Sequence, residues 1–182
     1  MRCHNAWRRF LATRPVRASA THRPVHELRT DTEIAAQPEQ IWAALTDFAA
    51  YPRWNPFIRY VRGVAEEGRS LEVVVRGRGS VRTAFRARVL VADRPHELRW
   101  RGHLCVPGAL TSEHRFLIEP LPDGGSRFQQ NGRFSGLLTP IFRSTIDREI
   151  QRGLREMNAA LKGLVERGSE NLRVAPRERA RD

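Results

Sequence analysis

The longest helical pattern in the chain runs from Thr139 to Arg167, and it constrains the fold more than any other feature. Apolar residues recur there at steps of three or four, the spacing of an amphipathic helix with one buried face. At 1.5 Å per residue such a helix is roughly 40 Å long, so it needs a broad partner such as a sheet to cover it. The apolar residues are Ile141, Phe142, Ile146, Ile150, Leu154, Met157, Leu161, Leu164 and Val165.

Residue types at both ends predict where this helix begins and stops. Thr139 is the predicted N-cap, and Pro140 lies in the first turn, where a missing N–H costs little. Gly168 is the predicted stop. Gly153 lies mid-helix beside the apolar stripe, although glycine there costs about 1 kcal/mol. We therefore expect Gly153 to leave room on the buried side.

Seven segments upstream alternate apolar and polar residues with the two-residue period of half-buried strands. Short, turn-rich links between the last six predict antiparallel neighbours. Two short helical segments, 38–48 and 49–57, follow the first strand. The predicted class is therefore α+β: a curved antiparallel sheet of six to seven strands wrapped around the long C-terminal helix. The strand segments are 26–35, 58–64, 71–76, 81–92, 97–104, 110–121 and 125–134.

The net charge of +12 is concentrated at the chain ends. Residues 1–25 contain six arginines and no acidic residue, and we predict a basic, disordered segment there. Residues 168–182 are predicted to be a disordered tail. Residues 26–167 form the predicted domain, whose 22 basic and 17 acidic residues are an ordinary mixture for a protein surface. We therefore expect no DNA partner.

Several kinds of site are not supported by the sequence. Cys3 and Cys105 do not make a disulfide framework and suit a reducing cytoplasm. His103 and Cys105 would share one side of a strand, but a zinc site needs three or four ligands. There is no glycine-rich phosphate loop before a helix and no nucleophile elbow. We expect neither a metal nor a cofactor.

Strand parity places two polar residues, His114 and Gln130, on the inward face among apolar neighbours. Buried polar groups are usually hydrogen-bonded, so the two could form a satisfied pair or together hold a ligand oxygen. His114 is also the weak catalytic candidate, although acid/base catalysis would need a second titratable partner. The outward face carries arginines that alternate with Glu97, Glu113 and Glu119, which predicts cross-strand ion pairs.

The order of elements and a set of spaced motifs resemble the SRPBCC or START-like superfamily, and above all its polyketide cyclase/dehydrase-like branch. The resemblance covers residues 26–167. Gly132 departs from the branch, which often has an acidic residue there. The motifs are Pro38-x-x-Ile41-Trp42-x-x-Leu45-x-Asp47, Tyr51-Pro52-x-Trp54-Asn55-Pro56-Phe57, Glu113-His114-x-Phe116, Arg127-Phe128-x-Gln130 and Phe134-x-Gly136-Leu137-Leu138.

The resemblance implies a helix-grip fold around an apolar cavity, and hence binding or transport of a lipid, polyketide or similar molecule rather than catalysis. An aromatase/cyclase or dehydratase using His114 is the first alternative. An interaction module that contacts RNA, a ribosome or a membrane enzyme complex through its arginine-rich sheet back is the second. The predicted ligand-binding residues are Trp54, Phe57, Trp100, His114, Phe116, Phe128, Gln130, Phe134, Leu138, Phe142, Ile146 and Ile150.

Two segments, 49–57 and 135–140, are the predicted rims of an entrance to this cavity, because loops supply the mobility that a ligand needs. Trp54 and Leu138 would then form a gate, and the alternative is that the aromatic residues only cover the core. We expect a cytoplasmic protein, as a monomer or a homodimer. Weak contact with a membrane surface, through a short basic amphipathic turn in residues 1–25, is a further expectation. Weak contact with an acidic partner, through the arginine-rich sheet back, is another.

Overall fold

Seven strands and a set of helices account for most of the chain in a computed structural model, which describes residues 25–76, 82–104 and 108–178. The predictions for residues 1–24, for the turn-rich link between strand segments 71–76 and 81–92, and for Cys105 lie outside the described residues. The strands are β1 (Val25–Ile34), β2 (Ile58–Arg62), β3 (Ser70–Arg76), β4 (Arg82–Asp93), β5 (Glu97–Leu104), β6 (Leu110–Pro120) and β7 (Ser126–Ser135).

The strands form one antiparallel sheet in the order β1-β7-β6-β5-β4-β3-β2. Each strand from β2 to β6 pairs with the next one along the chain, as short links require. Strand β1 pairs with β7 and forms one edge of the sheet. A bulge between Val89 and Val91 shifts the register of β4 against β5. The predicted fold class is confirmed.

Two short helices and a 3-10 turn link β1 to β2: α1 (Pro38–Thr46), the turn Phe48–Ala50 and α2 (Tyr51–Trp54). Helix α1 buries Ile41, Trp42 and Leu45. Asn55 then fixes the turn into β2, because its Oδ1 accepts hydrogen bonds from the backbone N–H groups of Phe57 and Ile58, at 3.0 and 2.8 Å. This turn directs Phe57 into the interior, where it is buried.

The long C-terminal helical region consists of three parts: α3 (Thr139–Thr145), a π-helical turn (Ile146–Ile150) and α4 (Gln151–Glu178). Helix α4 lies on β1 and buries Leu154, Met157, Leu161 and Val165, as the periodicity predicts. No helix in the described part of the chain is long and apolar enough to cross a membrane.

Both predicted ends of this helix were wrong. The N-cap position is Leu138, and Thr139 is already helical. The helix continues through Gly168 as far as Glu178, so the predicted tail 168–182 is helical over its described part. A helical glycine costs only about 1 kcal/mol, which a continuing helix can absorb.

The π-helical turn also corrects the predicted buried face. Ile141 is 71% exposed and Phe142 is 39% exposed, whereas Ile146 is buried. A π turn contains an additional residue, so it rotates the residues before it around the helix axis relative to those after it. A uniform period of 3.6 therefore assigned Ile141 and Phe142 to the wrong side.

Ion pairs cover the outer face of the sheet, as its charge alternation predicts. Arg101 Nη2 lies 2.6 Å from Glu113 Oε2, and Arg115 Nη2 lies 2.7 Å from Glu97 Oε2. Arg99 contacts both glutamates, at 3.1 and 3.6 Å. Much of the guanidinium charge on β5 and β6 is therefore balanced within the sheet.

Candidate functional site

A small cavity of about 50 Å³ lies between the concave face of the sheet and the start of α4. Its walls are apolar except for His114 and Ser112. The lining residues are Phe57, Ile58, Val73, Val75, Phe85, Trp100, Ser112, His114, Gly132, Phe134, Ile150 and Leu154.

The room left by Gly153 is occupied by the ring of Phe57. A Cβ atom built on Gly153 would lie 2.2 Å from Phe57 Cδ2, far inside van der Waals contact. Gly102 has the same relation to Phe85, whose Cδ2 would be 2.6 Å from an added Cβ. Two glycines thus allow two phenyl rings to pack directly against the backbone in the cavity wall. The size of the cavity depends on where these rings rest.

We expect Gly153→Ala to destabilise the protein by about 1–3 kcal/mol, because the buried Phe57 ring must move out of a packed site. Helix propensity alone would change the stability in the other direction. Gly163→Ala is the matched control on the same helix, since its Cβ would meet only the end of the Arg167 side chain at 3.0 Å. That variant should gain up to about 1 kcal/mol. Urea unfolding of both variants tests this, and a stabilised Gly153→Ala would contradict the packing.

Behind the cavity, His114 is the first member of a buried hydrogen-bonded chain. Its Nε2 lies 2.9 Å from Gln130 Oε1. Gln130 Nε2 donates to the backbone oxygen of Leu154 at 3.1 Å and to Asn158 Oδ1. Asn158 Nδ2 in turn lies 3.3 Å from Thr30 Oγ1. The chain joins β6, β7, α4 and β1, and all four polar side chains are buried.

Burial lowers the pKa of His114 to about 4, and its hydrogen bond to Gln130 opposes that shift only in part. The imidazole stacks on Phe116 with ring centroids 4.2 Å apart and meets the edge of Trp100 at 5.8 Å. Such apolar surroundings disfavour the charged imidazolium. His114 is therefore neutral at neutral pH.

The structure brings five of the twelve predicted ligand-binding residues to the cavity wall: Phe57, Trp100, His114, Phe134 and Ile150. Phe116, Phe128 and Ile146 are buried elsewhere in the core, and Gln130 lies in the chain behind His114. Leu138 is half-buried. Phe142 is exposed and is no part of an interior wall, because of the π turn.

Trp54 lies in a different place, a wide groove between the first helices and α4. Charged residues such as Asp47, Arg53 and Arg167 border this groove, which is open to solvent. Trp54 packs edge-on against Tyr51 at 5.0 Å. Within the predicted rim segment 49–57, Phe57 therefore lines the cavity and Trp54 does not.

Several residues of the site were not predicted from the sequence. The two-residue period places Phe85, Ser112 and Gly132 on inward faces, but they are not among the predicted ligand contacts. Asn158 is polar and so falls outside the apolar stripe of the helix, although its spacing from Leu154 places it on the same face. Val73 and Val75 alternate with the outward Val74, which was a usable signal.

Comparison with known proteins places this architecture among proteins already described. A model of the family described as polyketide cyclase/dehydrase and lipid transport matches residues 25–173. No curated protein matches the sequence.

Solved structures with the same fold come from bacteria and a plant. A START superfamily protein from Mycobacterium smegmatis is 24% identical, with a TM-score of 0.62 over 78% of this chain and 98% of that one. The ZhuI aromatase/cyclase from Streptomyces sp. R1128 is 17% identical, with a TM-score of 0.65 over 79% and 95% of the two chains. A norcoclaurine synthase point mutant from Thalictrum flavum, in complex with a transition-state analogue, is 14% identical, with a TM-score of 0.63 over 81% and 98%. At these identities the likeness is one of fold.

Proposed function

Because the chain belongs to the polyketide cyclase/dehydrase and lipid transport family, we propose that it binds a hydrophobic small molecule, such as a lipid or a polyketide, between its sheet and α4. The observation that carries this proposal is the cavity itself, whose walls are mostly apolar and aromatic, with His114 and Ser112 among them. Walls of this kind, with one or two placed polar groups, suit an apolar ligand that needs a fixed orientation.

The small volume of the cavity indicates that ligand entry requires its walls to move. Trp100 and Leu154 are fully buried at its inner end, whereas Val75, Phe85 and Ile150 are half-buried at the other. Side chains near the surface can change rotamer at little cost in packing. We therefore place the entrance among Val75, Phe85 and Ile150, with Phe57 beside them. A gate at Trp54 and Leu138 remains an alternative prediction.

Catalysis as an aromatase/cyclase or dehydratase is the second candidate function. The family description and the fold shared with the Streptomyces aromatase/cyclase favour it. Among the described lining residues His114 is the one with an acid/base side chain, so proton transfer would lack a second acid or base. Turnover of a polyketide substrate that is lost in His114→Ala, with binding retained, would favour this candidate over simple binding.

Contact with RNA or a ribosome through the sheet back has less support. The arginines of β5 and β6 are already paired with Glu97 and Glu113. Charges that are paired on their own surface gain less from a phosphate partner than free ones do.

Binding of a fluorescent fatty-acid probe to a pair of matched variants tests the proposed function. Val75→Phe places a ring in the cavity, whereas Val74→Phe adds the same ring to the opposite face of β3. We expect Val75→Phe to weaken binding by about tenfold or more, which corresponds to ~1.4 kcal/mol. Val74→Phe should bind as the wild type does. Equal affinities in the two variants would place the probe outside the cavity.

A further inference from the structure

We propose that the ligand of this cavity carries a hydrogen-bond donor, a hydroxyl or an N–H group, which it presents to Nδ1 of His114. This inference rests on the proposed function, since it concerns the polar end of a ligand bound in the same cavity. It follows from a fixed sequence of donors and acceptors behind the cavity, which begins at a backbone carbonyl.

The backbone oxygen of Leu154 determines the orientation of the Gln130 side chain. A carbonyl oxygen can only accept, so the amide atom 3.1 Å from it must be the NH₂ group of Gln130. The amide oxygen then faces the other way, 2.9 Å from His114 Nε2. This oxygen is also only an acceptor, so Nε2 must carry the proton.

The remaining ring nitrogen of His114 is consequently an acceptor. A neutral imidazole carries one proton, and here that proton is on Nε2, which leaves a lone pair on Nδ1. Gln130 is the one hydrogen-bond partner of His114 among the described residues. Gln130 is not part of the cavity lining, whereas His114 is.

The backbone oxygen of Leu154 makes this arrangement hard to reverse, because it cannot become a donor. Gln130 Nε2 also bonds Asn158 Oδ1, and Asn158 Nδ2 reaches Thr30. Rotating the Gln130 amide would set its oxygen against the backbone oxygen of Leu154 inside a buried site. An unsatisfied buried polar group is costly, so the protein does not readily turn His114 into a donor toward the ligand.

This polarity selects among ligands. A molecule whose polar end is only a ketone, ether or ester places an acceptor opposite His114 Nδ1, which is also an acceptor. No hydrogen bond forms between them. An alcohol, phenol or N–H compound completes the bond. Ser112 also lies in the wall, and its hydroxyl can either donate or accept, so it does not discriminate.

Three aromatic probes of nearly equal size and shape test this inference on the full-length protein: indole, which donates through N–H, benzofuran, which only accepts, and indene, which does neither. We expect calorimetric or NMR titration to give indole an affinity up to about tenfold higher than the other two, the effect of one neutral hydrogen bond. The preference should disappear in His114→Phe and persist in Ser112→Ala.

The protonated nitrogen can be read directly from ¹⁵N spectra of the histidine rings in the wild-type protein, which does not depend on a variant folding. The expected result is a proton on Nε2 of His114 and a shift of the Nδ1 signal when indole is added. Binding of all three probes without preference, preference for benzofuran, or a proton on Nδ1 would overturn this inference alone. Failure of all three to bind the folded protein would overturn the proposed function as well.

Discussion

Leu154→Asp is expected to unfold the domain. Leu154 is 1% exposed, lies in the wall of the cavity and packs in the core between α4 and the sheet. Truncating a buried leucine to alanine costs about 2–5 kcal/mol, and an unpaired carboxylate in the same place adds a desolvation penalty. The free energy of unfolding of a domain is only about 5–15 kcal/mol, so this single substitution removes most or all of it.

Arg155→Asp is the matched control, because the next residue on the helix is exposed. It introduces the same side chain on the solvent side, where substitutions usually change stability by less than about 0.5 kcal/mol. Thermal melting followed by circular dichroism distinguishes the two variants. Similar melting temperatures for Leu154→Asp and Arg155→Asp would contradict the packing of α4 on the sheet.

Acidification is expected to destabilise the protein through His114. The pKa of His114 falls from an ordinary 6.5 in the unfolded chain to about 4 in the folded protein. Between these values the unfolded chain takes up a proton that the folded protein resists, so stability declines as the pH falls. The free energy of unfolding falls by about 3 kcal/mol in full, since each unit of pKa corresponds to 1.36 kcal/mol. Above the pKa of the unfolded chain this contribution is constant.

His114→Phe isolates this effect from the titration of the carboxylates, which both proteins share. The variant is expected to be less stable than the wild type near neutral pH, because Gln130 Oε1 loses its donor. Its disadvantage should shrink by up to about 3 kcal/mol between about pH 7 and about pH 4. Urea titrations across that range measure the difference, and Ser112→Ala should keep the wild-type slope. Parallel pH profiles for His114→Phe and the wild type would refute the buried neutral imidazole.

The strands and their inward faces were predictable because the two-residue period persists along each strand away from a bulge such as the one in β4. His114 and Gln130 were recognised as an inward pair in this way, and the structure places them 2.9 Å apart. The two residues are diagonal neighbours on β6 and β7, since His114 lies opposite Gly132 and Gln130 lies opposite Phe116. Parity identifies the shared face, but it does not specify which side chains reach each other.

The long helix was harder to predict in detail, because one period was applied to a region that contains a π turn. Nothing in the local composition of residues 146–150 marks that turn. The position of the Phe57 ring on Gly153 is likewise a long-range contact between a turn and a helix. Gly153 indicates that another group packs closely against the helix, but the sequence does not identify that group as Phe57.

The central claim is that an apolar molecule binds between the sheet and α4, and NMR of the wild-type protein with the fatty-acid probe tests it most directly. We expect contacts between the probe and cavity side chains such as Val73, Trp100 and Leu154. Contacts confined to the outer groove around Arg53, Trp54 and Leu164, or no binding to the folded protein, would contradict the claim.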